Sequence, residues 1–448
     1  MRVAIVGAGI SGLALAYHLQ KLGVPYDLFE AGSHVGGNIR TLQAGDYLLE
    51  LGPNAVQYSS ELEELIRDLK LEKEVLPATG VSTNRYVLRE GTYQKLPSTP
   101  LSLLSNNFFS WKAKYRILQE KNVPPADYAN ETVSEFFARR FGQDVVDYAV
   151  NPVVTGIFAG DPSKLLVSKT FPKLKGMEQA HGSVLKGLVV EKQQTGRQQV
   201  ISFVDGMQTL PDAIAQKLIS LHKDNPVEMV TRNQGKYIIS CAAVNDADNE
   251  EYDMLVLALP APKAVELLQY TFPGMAAATH NIHYPPMAVV HTAYNRRDVS
   301  NKLNGFGVLH PIIEEAFAAG SIWSSSLFEG RCRPHEVLFT TFVGGAQAEQ
   351  SALAAPTEIT GQVHQELKKL HGITAEKPNF QHVHLWKQSI PQYDLYIEDA
   401  HNMAKSLEAE GLFVAANWLG GVSVPSCIRH AKELAHKINL RLRHALNS

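Results

Sequence analysis

The sequence predicts a mixed α/β and α+β protein, and three stretches predict it. Residues 3–30 read as strand, helix and second strand, with glycines at the first turn. Residues 101–200 are mostly helical in pattern. From Pro260 to about Ala404 the pattern favours strands.

Val3 to Val6 is an apolar run long enough for a buried strand and too short for a helix. Gly7, Gly9 and Gly12 follow in the G-x-G-x-x-G spacing, and Leu13, Ala14, Ala16, Tyr17 and Leu19 recur at helical intervals. Val24 to Phe29 is a second strand that runs into Glu30. The unit is Rossmann-like, and each part serves a dinucleotide. Gly7 permits the tight turn, Gly9 lets the backbone approach a pyrophosphate, and Gly12 lets the helix pack close to the sheet. The phosphates would meet the positive helix end and its unpaired N–H groups, at Ile10 and Ser11. The Glu30 carboxylate would accept from ribose hydroxyls, and its charge disfavours a ribose phosphate and hence NADP. Ala31 follows it into the same candidate site.

Composition narrows the class. The 448 residues suffice for two or three domains that each bury a core. Hydrophobic residues at 45% and charged residues at 19% suit a globular enzyme. A net charge of −3, with no zinc-finger or arginine-rich pattern, argues against a nucleic-acid partner. Cys241, Cys332 and Cys427 are too scattered for a disulfide framework or a zinc site, which fits reduced thiols in a reducing compartment. The histidines lack ligand spacing, so no metal is expected. No signal segment precedes the first strand in this chain, and no apolar run approaches the roughly 18–20 residues that span a bilayer. The expected location is cytoplasmic, soluble or peripherally attached to the inner face of the membrane.

In chain order, Glu61 to Leu71 reads as an amphipathic helix with Leu62, Leu65, Ile66 and Leu69 on one face. Asn84 to Lys95 reads as a hairpin with Glu90-Gly91 in its turn. Between Leu101 and Arg116, apolar residues interleave with Lys112, Lys114 and Arg116. Two readings stay open there: a helix lying in a membrane interface, or a domain helix with a basic solvent face. Thr132 to Phe141 is a helix with Glu135, Arg139 and Arg140 outward. Ile201 to Asp205 is a strand and Leu210 to Leu221 a helix. Pro226 to Ser240 is a hairpin, and Asp253 to Ala258 a buried strand. Strands at Ala288–Tyr294, Gly305–Leu309 and Val337–Val343 are interrupted by one helix, Thr357 to Leu370. Leu412 to Ala415 is the last strand, and Ile428 to Leu446 a terminal helix. No second G-x-G-x-x-G occurs, so a nicotinamide reductase is disfavoured.

Several segments carry a family resemblance. Gly36, Gly37, Asn38, Arg40 and Thr41 resemble the G-G-x-x-R-T extension of FAD-dependent amine-oxidase-type flavoproteins, and Glu50, Leu51, Gly52 and Pro53 resemble the turn that follows it. Residues 151–166, NPVVTGIFAGDPSKLL, with Phe171-Pro172, resemble a signature of protoporphyrinogen oxidases. SIPQY at 389–393 and GLFVAANWLGGVSVPSCI at 411–428 resemble two more. Asn151 stands where that family usually has Asp, and Ala416 where glycine is commoner. The resemblance is close to the plant mitochondrial-type enzymes.

The resemblance implies FAD, a p-hydroxybenzoate hydroxylase- or amine-oxidase-like architecture, and oxidation of protoporphyrinogen IX by dioxygen with release of hydrogen peroxide. It implies an FAD domain at 1–79, 201–262 and 406–448, a β-sheet substrate domain at 80–96 and 263–405, and a helical, membrane-associating domain at 97–200. Cofactor residues carried over are Gly36, Gly37, Asn38, Arg40, Gly52, Pro53, Asn54, Val227, Trp386, Asn417, Gly421, Val422 and Ser423. Arg85 would hold a substrate propionate, and Phe306, Leu309, Ile322 and Phe342 would form apolar walls. No catalytic side chain is implied, since the flavin carries the chemistry. Further implied partners are a membrane surface, a ferrochelatase and a second copy of the chain. Coproporphyrinogen III oxidation, a flavin amine oxidase or polyene desaturase, and a non-enzymatic flavin-binding protein stay open as alternatives.

Overall fold

The computed structural model describes residues 1–97, 99–192, 199–241 and 250–447. Five parallel strands form one sheet, in the order Leu221–His222, Tyr26–Phe29, Val3–Val6, Met254–Leu257, Leu412–Val414. They come from distant parts of the chain, so the nucleotide domain is discontinuous, as the sequence predicts. Wholly apolar runs such as Val3–Val6 and Met254–Leu257 suit a sheet covered on both faces. Helices Ile10–Lys21 and Val424–Asn447 cover one face through Leu13, Ala16, Ile428, Ala431 and Ala435. The hairpin Val227–Asn233 and Lys236–Cys241, with helices Ala261–Leu268, Pro273–His280 and Ile397–Leu407, covers the other.

A seven-stranded sheet forms the second layer, in the order Phe380–Trp386, Met287–Asn295, Glu336–Gly344, Gly320–Ile322, Gly307–Leu309, Arg85–Arg89, Thr92–Lys95. Strand alternation gives it two unlike faces. One carries Val290, Val308, Phe339 and Val343 and packs under Ile359, Val363 and Leu367 of helix Pro356–His371. The other looks toward the nucleotide domain and the helical segment.

Residues 100–192 fold as short helices around Phe108, Phe109, Phe136, Val154 and Phe158, and Val87 of the large sheet joins that cluster. Helix Ser60–Leu69 buries Leu62, Leu65, Ile66 and Leu69, as their spacing predicts.

Four expectations are corrected. Arg140 does not face outward. It is fully buried, with Nη1 2.6 Å from Glu178 and Nε on Glu120. Arg139 bridges Glu131 and Glu178 at 2.8 Å each, and Lys175 bridges the same pair at 2.9 and 3.1 Å. The three cations balance Glu120, Glu131 and Glu178, which is what lets the group be buried. The helix expected at Leu210–Leu221 ends at Ala215, because Leu221–His222 pairs in parallel with Leu28 and Phe29. The stretch 101–116 is two helices, Pro100–Ser105 and Trp111–Leu118. Phe108 and Phe109 are core, and Lys114 is buried with its ammonium on the carbonyls of Leu104 and Asn106. Finally, helices besides Pro356–His371 fall between residues 260 and 404, including Ala261–Leu268, Pro273–His280 and Ile397–Leu407. In the first two, proline occupies the opening turn, where its missing N–H costs nothing.

Candidate active site

The carboxyl ends of the parallel strands converge. Gly7 follows Val6, Glu30 follows Phe29, Ala258 follows Leu257, and Ala415 to Asn417 follow Val414. Such an edge is where open α/β sheets bind ligands. Helices Ile10–Lys21 and Val424–Asn447 both begin there, so two positive helix ends meet at one place.

The glycines separate by cause. A Cβ on Gly7 would lie 2.6 Å from the Ala258 carbonyl, and one on Gly12 would lie 2.0 Å from that of Gly7. Protein packing alone forbids a side chain at both. A Cβ on Gly9 would meet no atom within 4 Å. Packing therefore does not explain Gly9. Ile10, Ser11 and Gly12 form the first helical turn, whose N–H groups have no helical acceptor. Glu30 accepts from the N–H groups of Ala8 at 2.8 Å and Gly32 at 3.0 Å, which fixes its carboxylate over the glycine turn. Ala31 beside it is exposed. Asn225 donates to the Glu30 carbonyl at 3.0 Å, which keeps Val227 at this end of the sheet.

The second glycine pair closes onto the first. Gly36 donates to the Ala8 carbonyl at 2.8 Å, and a Cβ on Gly37 would lie 3.3 Å from the Gly9 Cα. A Cβ on Gly52 would fall 1.8 Å from the Asn38 carbonyl, so the two flanking loops cross with no room for a side chain. Arg40 is exposed, while Pro53 and Asn54 follow Gly52 inward. Asn38 donates to the Ser389 carbonyl at 3.2 Å, and Trp386 to that of Leu51 at 2.6 Å, tying both loops to the large sheet. Asn417 opens a short helix and accepts from Tyr393 through its carbonyl. Gly421 turns the chain at φ +100°, Val422 is half-buried, and Ser423 is exposed at the head of the terminal helix.

Strand register brings the expected slot residues together. Arg85 pairs with Gly307, Gly307 with Ile322, Gly320 with both Leu309 and Phe342, and Met287 with both Gly344 and Trp386. Counting by twos, Arg85, Leu309, Ile322, Phe342 and Trp386 share one face. Arg85 is exposed and Leu309, Ile322 and Phe342 are half-buried, whereas Val308, Phe339 and Val343 on the opposite face are buried. Phe306 precedes its strand, and its ring lies 4.9 Å under the Arg85 guanidinium. Protein atoms crowd Arg85 at this opening, and the lost hydration lowers its pKa. A Cβ on Gly156 would lie 2.7 Å from Leu309, so helix Asn151–Phe158 leans directly on the slot wall.

Some site features escaped the sequence reading. His291, His382 and His384 share the Trp386 face, and His384 packs edge-on to Trp386 at 4.6 Å. Burial lowers the pKa of all three, and the Arg40 charge lowers that of His384 further. The alternation His382-x-His384-x-Trp386 was the available signal. Asn151, which the sequence did single out, accepts from the Ile312 N–H and donates to Gln347, each at 3.0 Å. Among the described residues no group of His, Cys, Asp or Glu is arranged to hold a metal.

A glycine cradle at a strand-to-helix turn, an acid beside it and a second glycine loop over both define a dinucleotide-dependent oxidoreductase. The profile of the flavin containing amine oxidoreductase family matches residues 10–439. Protoporphyrinogen oxidase 2, chloroplastic/mitochondrial, of Arabidopsis thaliana is 32% identical over 467 residues, covering 95% of this chain and 91% of that protein. Coproporphyrinogen III oxidase of Bacillus subtilis is 26% identical over 459 residues, covering 96% of each. Cyclohexylamine oxidase from Brevibacterium oxydans has the same fold, with a TM-score of 0.72, 16% identity and 99% of each chain covered. The chain belongs to the flavin-containing amine oxidoreductase family, and its cofactor is FAD. The expected fold class and cofactor therefore hold.

Proposed function

We propose that the protein oxidises protoporphyrinogen IX to protoporphyrin IX, with dioxygen as acceptor and hydrogen peroxide as by-product. One observation carries the reading: a sheet face on which half-buried Leu309, Ile322 and Phe342 lie between Arg85 at one end and Trp386 at the other. A porphyrinogen is an apolar disc with a carboxylate edge, and such a face is complementary to it. When bound, FAD supplies a two-electron acceptor that dioxygen reoxidises. Gly9, Ile10, Ser11 and Gly37 present backbone to its pyrophosphate, Glu30 accepts from its ribose, and Val227 borders the adenine. Asn417, Gly421, Val422 and Ser423 border the ring system, where the terminal helix favours negative charge. Arg85 holds a propionate, while Phe306, Leu309, Ile322 and Phe342 exclude water.

The same reading assigns the nucleotide sheet and its covering helices to an FAD domain, the large sheet to a substrate domain, and residues 100–192 to a helical domain. It assigns that last domain to a membrane surface, supported by exposed Leu101, Leu104, Trp111, Tyr115 and Leu118 around two short helices. Among the described residues no helix is long and apolar enough to cross a membrane. A ferrochelatase that takes the planar product and a second copy of the chain complete the partners of this reading.

Anaerobic mixing with each porphyrinogen tests it. Protoporphyrinogen IX should bleach the flavin faster than coproporphyrinogen III, whose four propionates would face one arginine. Bleaching by an amine or a polyene but by neither porphyrinogen would contradict it.

A further inference from the structure

One edge of the large sheet is left unguarded. Phe380–Trp386, FQHVHLW, is its outermost strand, seven residues long with no Lys, Arg, Asp, Glu or Pro. Among the described residues, the other edge strands are at most four residues long, with one exception. That exception, Val227–Asn233, is broken by a register shift and carries Glu228 and Arg232. Shortness, bulges and charge are the usual protections against strand addition, and Phe380–Trp386 has none of them.

Register identifies its outward groups. Gly345 donates to the Pro286 carbonyl, so even-numbered residues of Met287–Asn295 bond toward Glu336–Gly344 and odd-numbered ones toward Phe380–Trp386. Those odd-numbered residues face Phe380, His382, His384 and Trp386. The N–H and C=O groups of Gln381, Val383 and Leu385 therefore point away from the sheet. No described residue hydrogen-bonds to them. Nor does the following chain fold back over them. Ser389 donates to the Pro285 carbonyl at 3.1 Å and Gln392 to that of His283 at 2.9 Å, both on the inner side.

We propose that this edge pairs with the same strand of a second copy, antiparallel about a two-fold axis through Val383, so that two seven-stranded sheets become one. The strand complements itself in that register. Val383 meets Val383, and Gln381 meets Leu385 of the second copy, each pair exchanging backbone hydrogen bonds. Between them Phe380 lies across from Trp386 and His382 across from His384. Aromatic residues facing across a strand pair stabilise it. Burial lowers the pKa of both histidines, so at neutral pH no like charges oppose each other. A strand of another protein would gain the same backbone bonds, but the two-fold repeats this side-chain match at both ends.

The pairing gives a surface to the second copy named in the function reading and rests on that part of it alone. Its test reads mass and cross-links, so it stands or falls apart from porphyrinogen oxidation. One strand pair is smaller than a standard interface of roughly 800 Å² a side, so the dimer should be reversible and concentration-dependent.

Sedimentation velocity of the FAD-loaded protein should show a monomer–dimer equilibrium. Val383→Pro removes an outward N–H and none of the bonds to Met287–Asn295, a position where an edge strand tolerates proline. It should keep its flavin and weaken the dimer at least about tenfold, since the two-fold loses both central bonds. A mixture of His382→Cys and His384→Cys chains reads the register. These positions would face each other about 4.5 Å apart between Cα atoms, within disulfide reach. Mild oxidation should therefore link the mixture far more than either variant alone or the parent with its native cysteines. This second test leaves the backbone unaltered, and it decides the matter if Val383→Pro fails to fold. A parent that stays monomeric at about 100 μM overturns the proposal. A dimer that survives Val383→Pro unchanged, or whose mixed variants link no better than each alone, uses another surface and overturns it as well.

Discussion

At the scale of single residues, the glycines distinguish what folding requires from what the ligand requires. Gly7 and Gly12 have no room for a Cβ, whereas Gly9 faces open space. Gly9→Val should therefore fold with near-parental stability and purify without FAD. A yellow, fully loaded variant would contradict the pyrophosphate assignment. Arg85 makes the complementary case at the substrate end. It touches Phe306 and carries a charge in a recess, so its loss should leave the fold intact. Arg85→Ala should weaken porphyrinogen binding by roughly 1–3 kcal/mol, as for a lost hydrogen bond between charged groups. Steady-state assays should show this in KM, and an unchanged KM would count against the role.

At the scale of elements, legibility followed burial. Strands such as Val3–Val6 and Met287–Asn295, and helices with one apolar stripe such as Ser60–Leu69, were legible because solvent and core divide them cleanly. Helices Ala261–Leu268 and Pro273–His280 were not, because proline in their first turns reads as a breaker. Arg140 was misplaced for a different reason. Its charge marks it as surface, and only partners distant in sequence, Glu120 and Glu178, make burial tolerable. Arg140→Ala should destabilise the helical region by about 3–5 kcal/mol, because buried Glu120 loses the cation paired with it and Glu178 one of its three. Denaturant unfolding followed in that region would measure it. The same network gives an acid limit. Burial works against the Glu178 carboxylate, but Arg139 and Lys175 outweigh it and hold its pKa below the ordinary range. A depressed carboxyl contributes stability above its unfolded pKa and loses it as pH falls through the folded value. Thermal unfolding should thus show the helical region weakening on acidification below the ordinary carboxylate range, and a flat profile there would contradict the pairing.

At the scale of the whole molecule, two sheets share one task. The five-stranded sheet gathers the glycine loops at its carboxyl edge, and the seven-stranded sheet brings half-buried Leu309, Ile322 and Phe342 onto one face with Arg85 and Trp386. The Gly7–Gly12 turn was legible from spacing alone. The slot was not, since Arg85, Leu309, Ile322 and Phe342 come from four strands and only register puts them on one face. Motif resemblance supplied those residues, and their common face is a geometric reason for grouping them. The most direct test is to add protoporphyrinogen IX in air and follow porphyrin fluorescence together with hydrogen peroxide. The flavin-free Gly9→Val protein serves as the blank for spontaneous oxidation. Porphyrin should appear well above that blank, with three peroxides formed per porphyrin, as six electrons leaving in pairs require. Fluorescence growing no faster than the blank, or porphyrin formed without peroxide, would contradict it.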